Sequence, residues 1–157
     1  MDYEARVLLC VDGASASQLL ASALPLVATP AHWRAVHVVD ARGRMDLGAL
    51  RHAIGGAGPL PPHQVEAIEE AGTQHANLVL DAATAAFNER GLLSEAGLVR
   101  VGEPGREICT AANAWPADLV VLRASRRSRP EPAPRSVGHT ARFVLDHAPC
   151  PVLLIRS

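Results

Sequence analysis

The sequence predicts an α/β fold: a three-layer, doubly wound sandwich around a five-stranded parallel sheet. Two observations carry that prediction. Short apolar runs rich in Val, Leu and Ile recur along the chain, as strands covered on both faces require. Segments of helical period separate them, and strands alternating with helices imply parallel pairing through right-handed crossovers.

The first strand is Arg6-Val-Leu-Leu-Cys-Val11, closed by Asp12-Gly13, after which Ser15 or Ser17 can cap a helix running to about Leu24. Pro25 and Pro30 stop that helix. The second strand is Ala35-Val-His-Val-Val39, ending at Asp40, and His37 within it is expected to be a satisfied core histidine. Residues 41–62 read as irregular, with Gly43, Gly48, Gly55, Gly56 and Gly58 among prolines, a short helix near Leu47–Ile54, and high mobility. Pro61-Pro62 opens the longest helix, from about His63 to Arg90, and Gly91 ends it. Val65, Ile68, Ala76, Val79, Leu80, Ala83 and Phe87 form its apolar stripe. A weaker strand, Gly97-Leu-Val-Arg-Val101, precedes a helix that Pro104 starts and that ends at Ala114, before Pro116. Asp118-Leu-Val-Val-Leu122 is the fourth strand, and a basic, Pro-rich loop spans 123–136. The last helix, about Val137–His147, leads into the final strand, Val152-Leu-Leu-Ile155.

At 157 residues the chain has the length of one domain, and no internal repeat divides residues 1–157. Hydrophobic residues make up 48% and aromatic residues 3%, so the core must be aliphatic. A net charge of -1 argues against nucleic acid or an anionic membrane as partner. All 15 basic residues are arginine, whose planar fork suits paired hydrogen bonds to phosphate. Cys10, Cys109 and Cys150 have no metal-ligand spacing and read as small core residues in a reducing compartment. Met1-Asp2-Tyr3-Glu4 starts no secretory leader, and no apolar run approaches the roughly 20 residues of a membrane span. The expected location is cytoplasmic.

Five segments in order then carry a resemblance. They are Val7-Leu-Leu-Cys-Val-Asp-Gly13, His37-Val-Val-Asp40, Val101-Gly-Glu-Pro104, Ala117-Asp-Leu-Val-Val121 and the closing His147-Ala-Pro-Cys-Pro-Val-Leu-Leu-Ile155. With their spacing, the chain resembles the universal stress protein family almost end to end. The resemblance implies strand order 3-2-1-4-5, the adenine nucleotide alpha hydrolase-like arrangement, and a ligand crevice at the carboxyl ends of the central strands. It places Asp12 and the backbone of Val38 against an adenine, and Gly102 near the ribose. Asp12 also suits a helix cap, and the two roles are compatible.

The phosphate end departs from the family pattern. ATP-binding members carry Gly-x-x-Gly, nine residues, then Gly-Ser or Gly-Thr, a cradle of backbone N–H groups at a helix start. Arg123 and Arg126 stand where both glycines should be, eleven residues then precede Gly138, and His139 replaces the hydroxyl residue. Thr140 follows one place late. A Cβ at those glycine positions resists positive φ and fills phosphate space. Arg123, Arg126, Arg127, Arg129 and Arg135 form either an alternative anion site or a solvated basic loop. His139, at the start of a helix, is a candidate ligand to an anion.

No adenylation loop, nucleophile elbow, Walker loop, dinucleotide fingerprint or metal-binding histidine pair occurs. The expected function is a stress-response module that binds a small ligand or docks a protein, with weak or no ATP binding. The alternatives are a genuine ATP or AMP binder, or a slow nucleotide hydrolase, using the Arg-rich loop for phosphates. An adenine nucleotide is the cofactor the resemblance allows, and no metal of the protein's own is expected. The last strand is expected to be a sheet edge that pairs with a second copy, giving a homodimer.

Overall fold

The computed structural model describes residues 4–13, 15–27, 30–42, 53, 55, 58, 60–124 and 136–156. Of the expected irregular segment 41–62, with its helix near Leu47–Ile54, residues 43–52, 54, 56, 57 and 59 lie outside the described residues. The arginine-rich stretch 125–135, Arg126 included, also lies outside them.

In chain order the elements are β1 (Ala5–Cys10), α1 (Ala16–Ala23), a 3-10 turn (Leu24–Leu26), β2 (Ala31–Asp40) and α2 (Pro62–Glu89). They continue with β3 (Leu93–Ser94), β4 (Leu98–Gly102), α3 (Pro104–Ala114), β5 (Leu119–Arg123), α4 (His139–His147) and β6 (Val152–Ile155). All pairings are parallel, in the order β3-β2-β1-β5-β6, with β4 also on β2. The order 3-2-1-4-5 is therefore present if Leu98–Gly102 is counted as the third strand.

Among the described residues the sheet has six strands, where five were expected. The extra strand is β3, whose two residues pair with His32 and Trp33, below the stretch of β2 that pairs with β4. Two residues carry no period, so no sequence pattern marks them. The second strand starts at Ala31, earlier than the expected Ala35. Its first turns alternate: Ala31, Trp33 and Ala35 are buried, while His32 and Arg34 are half-buried. Arg34 is held from outside by Ala96 O (2.8 Å) and Glu95 (3.5 Å), which lets a charged residue sit in an inner strand.

β1 lies centrally because Val7, Leu8 and Leu9 are wholly buried, and alternate residues serve different layers. Val7 and Leu9 face α1 and α2 in a core with Leu19, Leu20, Trp33, Leu80, Ala83 and Phe87. Leu8 and Cys10 face α3 and α4 in a second core with Val36, Ile108, Ala112, Val120, Leu122 and Val144. Trp33 meets Phe87 at 6.0 Å in the first core, and Trp115 belongs to the second.

The helix ends follow local chemistry. Ser15 Oγ accepts the Gln18 N–H at the start of α1. Gly91, at φ +62°, ends α2, and Leu92 N–H returns to Phe87 O. Only the part of α2 from Ala76 onward is buried; Val65 is exposed and Ile68 half-buried, contrary to the continuous stripe expected. The reason is length. Twenty-eight residues of helix span about 42 Å, whereas the ten-residue β2 on which α2 packs spans about 33 Å, so the start of α2 overshoots the sheet. On the opposite face α3 and α4 approach closely at Gly105, where an added Cβ would come within 2.8 Å of Phe143.

Candidate functional site

The chain runs from β1 outward to β2 and β4, then crosses back to β5 and out to β6. This reversal opens a crevice at the carboxyl ends of β1 and β5, the place where open α/β sheets bind ligands. A cleft of about 840 Å³ lies there. Asp12, Val38, Arg123, Gly138, His139 and Thr140 all line it. Gly102 is not among the lining residues; its carbonyl accepts the Ala41 N–H at 3.1 Å. Its φ of +154° and an added Cβ at 2.9 Å from the Glu107 side chain require glycine there.

The base of the cleft is built by the ends of β1 and β2. Val11 N–H donates to Val36 O at 2.9 Å, extending the ladder one residue past β1. Val11 O in turn accepts a hydrogen bond from His37 Nδ1 at 2.7 Å. A carbonyl oxygen only accepts, so Nδ1 carries the proton. His37 is 7% exposed, and its ring meets His75 of α2 edge-on at 5.8 Å. The expectation of a satisfied core histidine holds, with the addition that it pins the strand end from which Asp12 projects. Gly13 turns the chain at φ +92°, where an added Cβ would press His75 Nε2 at 3.2 Å. Ser15, one of the two serines expected to cap α1, is the residue that does so.

One rim is a charged clasp that the sequence pattern did not single out. Arg42 binds Asp40 at 3.2 Å and reaches Glu103 at 3.7 Å. Glu103 also caps α3, accepting from Gly105 N–H at 3.3 Å and Arg106 N–H at 2.8 Å. Burial pulls the Asp40 carboxyl upward, but the Arg42 backbone N–H and guanidinium outweigh it and hold Asp40 below its ordinary range. Only the Asp-x-Arg spacing at a strand end hinted at this arrangement.

The opposite rim is formed by β5 and α4. Arg123, the last residue of β5, extends across the switch point and donates from Nη2 to Ser15 O at 3.2 Å. Gly138 precedes α4 at φ +91° with no side-chain cap, and His139 and Thr140 occupy the first turn. The positive end of that helix therefore opens on the cleft.

Burial pushes the Cys10 thiol far up, with Cys109, Cys150 and Asp12 adding to the effect. Burial also raises Cys109 and Cys150. Among the described residues no group of three or more His, Cys, Asp or Glu could hold a metal ion. Among them, too, no helix is long and apolar enough to cross a membrane.

The sequence profile described as the Universal stress protein family matches residues 5–156. A universal stress protein of Synechocystis is 43% identical over 58 residues, 37% of this chain and 36% of that protein. That match spans about a third of the relative's length. A solved protein of the same family from Burkholderia pseudomallei is 26% identical, with TM-score 0.63, over 98% of this chain and 96% of that one. Another, from Arabidopsis thaliana with AMP bound, is 16% identical, with TM-score 0.63, over 97% of this chain and 91% of that one. At that identity the likeness is one of fold.

Proposed function

The chain belongs to the universal stress protein family, and from that premise we propose a stress-response binding module whose cleft takes a small adenine-containing ligand. Its role is to bind, not to turn over, and its affinity for ATP is weak. The observation that carries the reading is the convergence of Asp12, Val38, Arg123, Gly138, His139 and Thr140 on one cleft at the switch point. The base end offers edge groups of β2 and the Asp12 carboxylate, which suit the donors and acceptors of an adenine. The AMP bound by the Arabidopsis relative supports the same ligand class. A thermal-shift screen of adenosine, AMP, cyclic AMP, Mg-ATP and simple anions tests it. At least one adenine ligand should raise the melting temperature, and Asp12→Ala should abolish that rise. A dissociation constant for Mg-ATP at or below about 10 μM would refute the weak-ATP part.

The same reading includes a cytoplasmic homodimer. Among the described residues β6 pairs with β5 alone and ends the sheet, while Val152, Leu153 and Leu154 are half-buried. An apolar edge of this kind invites another strand, and a symmetry-related copy of β6 satisfies it. Free thiols at all three cysteines fit a reducing compartment. Light scattering at micromolar concentration should report a dimer, and Leu154→Arg should dissolve it; a monomeric parent protein would overturn the proposal.

A further inference from the structure

We infer that Arg123 sets how many phosphates the cleft accepts, making it selective for adenine ligands with a single phosphoryl group. This rests on the cleft being an adenine site, as proposed above. Three observations carry it. Arg123 lines the cleft from the end of β5, and its Nη2 lies 3.2 Å from Ser15 O, on the far side of the switch point. The side chain thus forms a bar between the β1–α1 turn and the end of β5. The first turn of α4, with Gly138 at φ +91° followed by His139 and Thr140, lines the cleft with it.

A ligand anchored by its base at Asp12 and Val38 directs its first phosphate toward this bar. Ser15 O is a neutral acceptor. A phosphate oxygen can replace it with a charge-assisted, two-pronged contact to the guanidinium, and the start of α4 adds donors of the same polarity. A second and third phosphate would have to pass the bar. The cation therefore rewards one phosphoryl group and obstructs a chain of three.

Calorimetric titration of adenosine, AMP and Mg-ATP into the full chain and into Arg123→Gly and Arg123→Lys tests the inference. The parent protein should bind AMP about tenfold or more tighter than either adenosine or Mg-ATP, the scale of one charge-assisted contact. Arg123→Gly should bring AMP down to the adenosine affinity, leave adenosine unchanged and strengthen Mg-ATP. Arg123→Lys keeps the charge without the fork and should fall between. It also serves if the glycine variant does not fold. Parent protein that binds Mg-ATP as tightly as AMP, or AMP affinity indifferent to both substitutions, would overturn the inference while leaving the adenine site intact. Failure of every adenine ligand to bind every variant would overturn the site itself, and this inference with it.

Discussion

Trp33→Ala is expected to destabilise the protein by about 3–5 kcal/mol, the range for deleting a large aromatic side chain from a packed core. Trp33 is 1% exposed and packs against Phe87 on the α2 side of β2. With aromatics at only 3% of the chain, no second ring of that size stands ready to fill the space. The cavity falls where β2 meets the short β3, so the sheet edge loses support as well. For a chain of this length the melting temperature should drop by about 6–20 °C. Trp33→Phe, which keeps an aromatic filler, should cost far less. Urea and thermal unfolding measure both; a loss below about 1 kcal/mol in the alanine variant would show that the layer collapses without penalty.

The second large effect is expected at His37, where stability and binding should fall together. His37→Ala removes the donor to Val11 O, leaving a carbonyl of a residue only 4% exposed without that partner. That loss is worth about 1–3 kcal/mol. The space vacated beside His75 adds a cavity term, for about 2–4 kcal/mol in all. Asp12 follows Val11 directly, so loosening the strand end should also weaken adenosine binding. Asp12→Ala gives the contrast: the residue is exposed, and its removal should change stability by no more than about 0.5 kcal/mol while abolishing binding. Equal stability losses in the two variants would refute the pinning role assigned to His37.

These two residues show where sequence reading reaches its limit. His37 was legible as a core histidine because it interrupts an apolar strand. Its partner, Val11 O, was not, since a backbone acceptor leaves no mark on composition. Trp33 was missed as a strand residue because His32 and Arg34 flank it, and the charge of Arg34 masked an alternating pattern that only Ala96 O and Glu95 make tolerable. The candidate site divides the same way. Asp12, Val38, Arg123, Gly138, His139 and Thr140 could be named because the family's motifs index them. Arg42, Asp40 and Glu103 could not, because their clasp joins a turn after β2 to the cap of α3.

What the sequence determined by itself is whatever depends on neighbours a few residues apart. The apolar runs of β1, β5 and β6, the Pro61-Pro62 start and Gly91 stop of α2, and a serine cap for α1 are all set by local sterics and local hydrogen bonds. Their alternation was enough to demand a parallel sheet with helices on both faces. Only the tertiary structure decided that β3 and β4 share one edge of β2, that no residue of α2 before Ala76 is buried, and that Arg123 crosses 108 positions of sequence to Ser15. Such contacts are chosen by which surfaces meet once the layers pack. They obey no period along the chain, so a one-dimensional pattern carries no signal of them.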